Sequence, residues 1–238
     1  MMSAERFAVI SGSYWSSIFP RLEHFVRVSN SGSRVFDSPM ELASAGKRHP
    51  FVTETAFLMW KSVMIDGVDL DTSVAQNTAR VRLAAVSRQV SLGPDLTSVE
   101  NGEAEMISGR LLRYFKIIKN LSQVEIDPKL PGCGPISGGT PDLLAVDSSY
   151  GVGVQIMAEI KTVNRKFRST DIRQLIIYLV LYFAQNGHLP SVVMVVNPLL
   201  GRSLEIGVDD LFEFTSGRSG QDVMSELLFE WSTSGTSV

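Results

Sequence analysis

Between Leu175 and Ala184 the chain reads LIIYLVLYFA, an apolar run without a charge. It has roughly half of the ~20 residues that a bilayer-spanning helix needs, so it predicts a helix buried inside a protein. Ser169 or Thr170 caps its start, and Asn186-Gly187 stops it near Gln185. Ser191–Val196 (SVVMVV) comes shortly after, and its β-branched residues predict a buried strand. Upstream, Leu143–Val146 and Val152–Thr162 read as two more strands, joined at Ser148–Gly151 where polar residues and glycine suit a tight turn. Gln123–Ile126 is a short strand and Ser98–Leu121 a helix, with a Gly- and Pro-rich loop over Pro128–Thr140. The order is helix, three strands, helix, strand. It predicts an α/β class, with a central mixed β-sheet flanked by helices.

The first half is less regular. Trp15–Val28 holds mixed apolar residues, and Ser29–Pro50, rich in Ser, Gly and Pro, reads as loop. Glu54–Ile65 and Thr72–Val90 carry apolar residues at helical spacing, with Gly67 and Gly93-Pro94 as stops. No long polar linker separates these helices from the helix at Ser98, so residues 1–95 form an α-rich extension packed on a core of residues 96–238. Gln221–Trp231 is amphipathic and docks as a C-terminal helix, with Ser232–Val238 frayed.

Hydrophobic residues make up 44% of the 238, enough for a sizeable core. Cys133 stands alone and cannot form an intramolecular disulfide, and Met1–Ile10 has no signal-peptide pattern. The expected setting is intracellular, cytoplasmic or nuclear, with no membrane insertion. A net charge of −3 excludes a chain coated in basic residues. Positive charge is nevertheless concentrated where Lys161, Arg165, Lys166, Arg168 and Arg173 face the single acid Asp171.

Asp142, Glu159 and Lys161 carry the chemistry. Glu159 and Lys161 are two apart on one strand and project from the same face, while Ile160 points the other way into the core. The strand is mostly apolar on both faces, and a Glu and a Lys buried there need partners or a metal. Hard oxygen ligands suit Mg²⁺ or Mn²⁺, and the backbone carbonyl of Ile160 is available as another ligand.

Over Ser98–Asn197 the strings GGTPDLLAVD and AEIKTV resemble the two halves of the PD-(D/E)XK nuclease signature. Pro141-Asp142 matches its first element and Glu159-Ile160-Lys161 its second. The resemblance implies a restriction endonuclease-like core (αβββαβ), with Asp142 and Glu159 binding Mg²⁺ or Mn²⁺ and Lys161 positioning water and stabilising developing charge. The family often adds an acid from the preceding helix. At about 100° per residue, Glu103 shares a face with Ile107, Tyr114 and Ile118, whereas Glu105 turns to water. Glu103 is the first choice and Glu100, a turn earlier, the second; a helix N-terminal acid complementing the dipole is the alternative for either. Gln174 and Tyr178, four apart, resemble the QxxxY element of the RecB-like branch, and Arg165, Lys166, Arg168 and Arg173 are candidate phosphate contacts.

Other features carry less. Gly132, Gly134, Gly138 and Gly139 lack the Gly-Lys-Ser/Thr ending of a P-loop, and read as a flexible approach to Asp142, with Gly138-Gly139 bringing backbone close to metal or substrate. His24, His49 and His188 have no ligand spacing and read as structural. His49 is only a remote counterpart of the histidine that precedes the acidic helix in viral cap-snatching relatives, whose Glu-to-Lys spacing is generally longer. The expected function is hydrolysis of nucleic-acid phosphodiesters, DNA ahead of RNA, by attack of water on phosphorus, with a homodimer left open. The alternatives are an inactive nuclease-fold module that holds nucleic acid or serves assembly, and an effector or mobile-element nuclease domain, as in Crinkler-type proteins.

Overall fold

The computed structural model describes residues 1–10, 12–44, 48–86, 93–149 and 153–234. Its helices are α1 (Ala4–Val9), α2 (Gly12–Ile18), α3 (Leu22–Gly32), α4 (His49–Ile65), α5 (Thr72–Val86), α6 (Ser98–Leu112), α7 (Ser169–Asn186), α8 (Val208–Ser216) and α9 (Gly220–Ser234). Its strands are β1 (Arg34–Val35), β2 (Leu121–Ile126), β3 (Leu130–Cys133), β4 (Ile136–Gly139), β5 (Leu143–Asp147), β6 (Val154–Ile160), β7 (Val192–Asn197) and β8 (Arg202–Gly207). Six of them form one mixed sheet in the order β1-β8-β7-β6-β5-β2, and β3-β4 is a separate hairpin. Within the sheet, β6 and β7 run parallel and every other neighbouring pair is antiparallel. The parallel pair is the one joined by α7, as a parallel connection requires. The chain is an α/β protein with a mixed six-stranded sheet flanked by helices.

Strand alternation divides the core in two. Leu144, Met157, Val193 and Val195 face α7, with α3, α8 and α9 on the same side. Leu143, Ala145, Ile156, Ala158, Met194 and Val196 face the layer of α4, α5 and α6. Both faces are covered, which explains why the central strands are apolar on each side. The apolar run of α7 has a related cause: Ile172 to Tyr182 is buried without interruption, between the sheet beneath and α1, α9 and the β3-β4 hairpin above. Gly187 ends the helix in the left-handed conformation at φ 73°, its N–H donating to the Phe183 carbonyl.

The structure departs from sequence expectation in several places. The helix expected over Ser98–Leu121 is α-helical only to Leu112, passes through a π-helical turn at Arg113–Ile118, and gives way to β2 at Leu121. The loop at Pro128–Thr140 contains the β3-β4 hairpin, which the N-terminus completes: the Met2 N–H donates to Pro135 O and the Ser137 N–H to Met2 O, both at 2.9 Å. In the segment read as loop over Ser29–Pro50, α3 runs on to Gly32, β1 pairs with β8, and α4 starts at His49 with Pro50 in its first turn, where no N–H is needed. β8 and α8 have no counterpart among the elements expected from sequence. Ser87–Val90 of the second predicted helix, Tyr150–Val152 around the β5-β6 turn, and Gly235–Val238 lie outside the described residues. No helix among the described residues is long and apolar enough to cross a membrane.

Candidate functional site

Antiparallel pairing sets Leu143 opposite Ala158. One further step in that register puts Asp142 opposite Glu159, at the start of β5 and near the end of β6. Directly opposed like charges destabilise a sheet, and here Glu159 is also buried and Asp142 half-buried. Asp142 Oδ2 accepts a hydrogen bond from the Ile160 N–H at 2.6 Å. Glu159 Oε1 accepts from Lys161 Nζ at 2.8 Å and from Gln174 Nε2 at 3.0 Å. Its other oxygen, Oε2, is buried without a hydrogen-bond partner.

The electrostatics come directly from this geometry. Burial pushes the Asp142 carboxyl well above the usual carboxylate range and the Glu159 charge adds to it, against the Ile160 N–H and Lys161. Burial also raises Glu159, with Lys161 opposing. Burial alone would lower the Lys161 ammonium, but Glu159 and then Asp142 outweigh it and hold it above the ordinary lysine value. One cation beside two opposed carboxylates, one buried and one half-buried, leaves negative charge in excess. That imbalance, with an orphaned oxygen at its centre, is the environment a divalent cation with oxygen ligands relieves.

Asp142, Ile160 and Lys161 line a cavity of about 340 Å³ together with His49, Glu54 and Arg82. The volume lies in the range of small-ligand sites, roughly 300–1,000 Å³. Burial lowers the His49 imidazole, against the pull of Glu103. Glu54 is raised by burial, with Arg82 opposing. At the rim, Asp127 Oδ2 accepts from Lys61 at 2.8 Å and Arg82 at 3.0 Å.

Of the helix acids, Glu103 is buried, and its Oε1 accepts from the N–H groups of Ala43 and Ser44. Here it ties the segment before α4 to α6. Glu100 is the N3 partner of a capping box with Thr97 and holds Arg48 through both its oxygens, at 2.8 and 2.9 Å. The hydrogen bond from Arg48 lowers its carboxyl to about 2. Glu105 is exposed. Among the described residues, no group of three or more His, Cys, Asp or Glu side chains is arranged to hold a metal.

Gln174 and Tyr178 do reach the site. Gln174 Oε1 accepts from Lys161 Nζ at 2.6 Å, and its Nε2 lies 2.7 Å from the Tyr178 hydroxyl. The basic segment divides: Arg165 is bound through two nitrogens to Asp171, and Arg173 is buried beside Glu23, whereas Lys166 and Arg168 are exposed. Gly139 is required by packing. A Cβ on Gly139 would stand 2.7 Å from the Tyr178 ring, so only glycine lets β4 lie against that side chain.

Sequence reasoning missed Glu5, which accepts from the Tyr178 hydroxyl at 3.1 Å, and Asn197, whose side-chain amide donates to the carbonyls of Val163 and Arg165 and holds the loop after Lys161. Neither has a motif; a buried Asn at the end of a β-branched strand is the only signal, and it concerns Asn197 alone. Compared with family models and with curated proteins, the chain matches none.

Proposed function

We propose that this chain is a Mg²⁺- or Mn²⁺-dependent nuclease of the PD-(D/E)XK type, hydrolysing phosphodiester bonds of nucleic acid, with DNA the preferred substrate. The observation that carries the reading is the pair Asp142–Glu159: two carboxylates brought together by the β5-β6 register, Glu159 buried and Asp142 half-buried, with Asp142 lining a cavity shared with Lys161. The element order α6, β2, β5, β6, α7, β7 agrees with a restriction endonuclease-like core. Asp142 and Glu159 would hold the cation, with the Ile160 carbonyl and a repositioned Glu103 as further ligands. A bound divalent cation supplies Lewis acidity and charge neutralisation at the phosphate.

The protein's own groups do the rest. Lys161 is held protonated by its carboxylate neighbours, so it acts as a donor and not as a base: it orients water and stabilises charge on the phosphate oxygens. Gln174 fixes Lys161 and Glu159 relative to each other, accepting from one and donating to the other. Of the basic segment, Lys166 and Arg168 are the side chains available for phosphate contact, because Arg165 and Arg173 are occupied by acids. Labelled single- and double-stranded DNA and RNA, incubated with Mg²⁺, Mn²⁺ or EDTA, test the proposal. Metal-dependent cleavage by the wild type, absent from folded Asp142→Ala and Lys161→Ala variants, is the expected result. Binding without cleavage under either metal overturns it in favour of a nucleic-acid-holding module.

A further inference from the structure

Lys161 and Glu159 meet at Gln174, and Gln174 meets Tyr178; the next link comes from the other end of the chain. Helix α1 lies over α7, with Ala4 and Ala8 buried. Phe7 is edge-on to Trp15 and Trp231, with ring centroids 5.8 and 5.5 Å apart, and Met2 is strapped to the β3-β4 hairpin. This packing delivers Glu5 to the Tyr178 hydroxyl. Tyr178 is only 1% exposed, so its hydroxyl depends on protein partners.

Donor and acceptor counting fixes the proton positions. Gln174 Nε2 has two N–H groups; one goes to Glu159 Oε1 and the other to the Tyr178 oxygen, while its Oε1 accepts from Lys161. A flipped amide would set its oxygen against the Glu159 carboxylate and its NH₂ against the Lys161 ammonium, so one orientation is favoured. It requires Tyr178 to accept from Gln174, and therefore to send its own proton elsewhere. Glu5 is the acceptor that receives it.

We propose that Glu5 is a positioning residue of the site, holding the Tyr178 hydroxyl so that Gln174 orients Lys161 and Glu159 in one arrangement. The catalytic consequence rests on the nuclease reading; the relay itself does not. The test therefore has two arms. In the metal-free protein, the Gln174 side-chain amide is followed by ¹⁵N NMR, its signal assigned by loss in Gln174→Ala. The expected result is one sharp amide pair in the wild type and in Glu5→Gln, which keeps an acceptor, and a shifted or exchange-broadened pair in Glu5→Ala and Tyr178→Phe. An unmoved signal in folded Glu5→Ala overturns the proposal, whether or not the wild type cleaves anything.

In the second arm, with Mn²⁺ and DNA, Glu5→Ala lowers kcat about fivefold at unchanged KM, the scale of one lost hydrogen bond. Glu5→Gln restores most of that loss, and Glu5→Ala adds nothing in a Tyr178→Phe background. Equal losses in Glu5→Gln and Glu5→Ala, or additive losses with Tyr178→Phe, overturn the proposal. Absence of any wild-type cleavage defeats the nuclease reading and leaves the NMR arm to decide the relay.

Discussion

A carboxylate flanks each end of strand β5, Asp147 buried and Asp142 half-buried, and each end has a lysine, yet the two are built differently. At the far end, Lys119 is 3% exposed and lies between Asp147, at 3.3 Å, and Glu205, at 2.5 Å. It touches both acids, and Glu205 keeps partial contact with water. At the near end, Lys161 is bonded to Glu159, while the oxygens of Asp142 find the Ile160 N–H but no cation within ion-pair distance among the described residues. Glu159 Oε2 and Asp147 Oδ2 are both buried without a hydrogen-bond partner, so the ends differ instead in that the Asp142 end opens on a cavity. At one end a lysine reaches both acids, and at the other Asp142 has no cation in reach among the described residues and faces a cavity. Buried charge left short of partners is costly, and it survives where a ligand completes it.

Substitution of the two lysines breaks the comparison most sharply. Lys119→Met strands two acids around a closed site and costs about 3–5 kcal/mol, read as a large drop in urea midpoint with cleavage unchanged per folded molecule. Lys161→Met costs only about 1 kcal/mol, because the raised carboxyls can take up a proton in place of the lost cation, but it lowers cleavage about 10²–10³-fold. If both variants lose stability alike, the ends of β5 do not differ as described.

Asp142→Asn sharpens the contrast. It removes one of two opposed charges, so the metal-free protein gains about 1 kcal/mol, raising Tm by roughly 2–4 °C, while Mn²⁺ affinity is lost. A lower Tm for this variant in EDTA would show that the carboxylate is not under strain. The smallest effect is in pH. Asp142 and Glu159 have folded-state pKa values above their ordinary ones, so the stability they contribute is present when they are protonated and is lost as pH rises through the raised values. In EDTA, wild-type Tm falls with rising pH above the ordinary carboxylate range, the fall is smaller in Asp142→Asn, and the stabilisation by Mn²⁺ grows in the same direction. Glu100 has the opposite sign: Arg48 holds it low, so its contribution is present at neutral pH and lost as pH falls below about 4.5 toward 2.

Much of the central sheet was legible because its strands are buried on both faces. Leu143–Val146, the apolar stretch ending at Ile160 and Ser191–Val196 stand out as runs no surface segment would carry, and the two-residue spacing put Glu159 and Lys161 on one face. β8 was not legible: RSLEIG alternates with polar residues, and pairing with β7 and β1 organises it. The β3-β4 hairpin, LPGC and ISGG, has no strand-forming composition and is held by Met2 and by packing on Tyr178. At the site, the 3.6-residue period put Glu103 on an inward face, and it is 4% exposed. Periodicity could not tell what it would meet, since Ala43 and Ser44 lie some sixty residues away in a segment with no pattern of its own.

The N-terminal strap also sets an order of assembly. Glu5 and Tyr178 are 173 residues apart in the chain, and Tyr14 and Trp231, which bond to each other beneath α1, are 217 apart. At translation rates of about 5–20 residues per second, Glu5 is made roughly 9–35 s before Tyr178. Through that interval α1 has no α7 to cover, and Asp142 and Glu159 emerge before the helix that orients them. The site is complete only when α7 has followed, so a nascent chain carries the acidic pair before it carries a finished site.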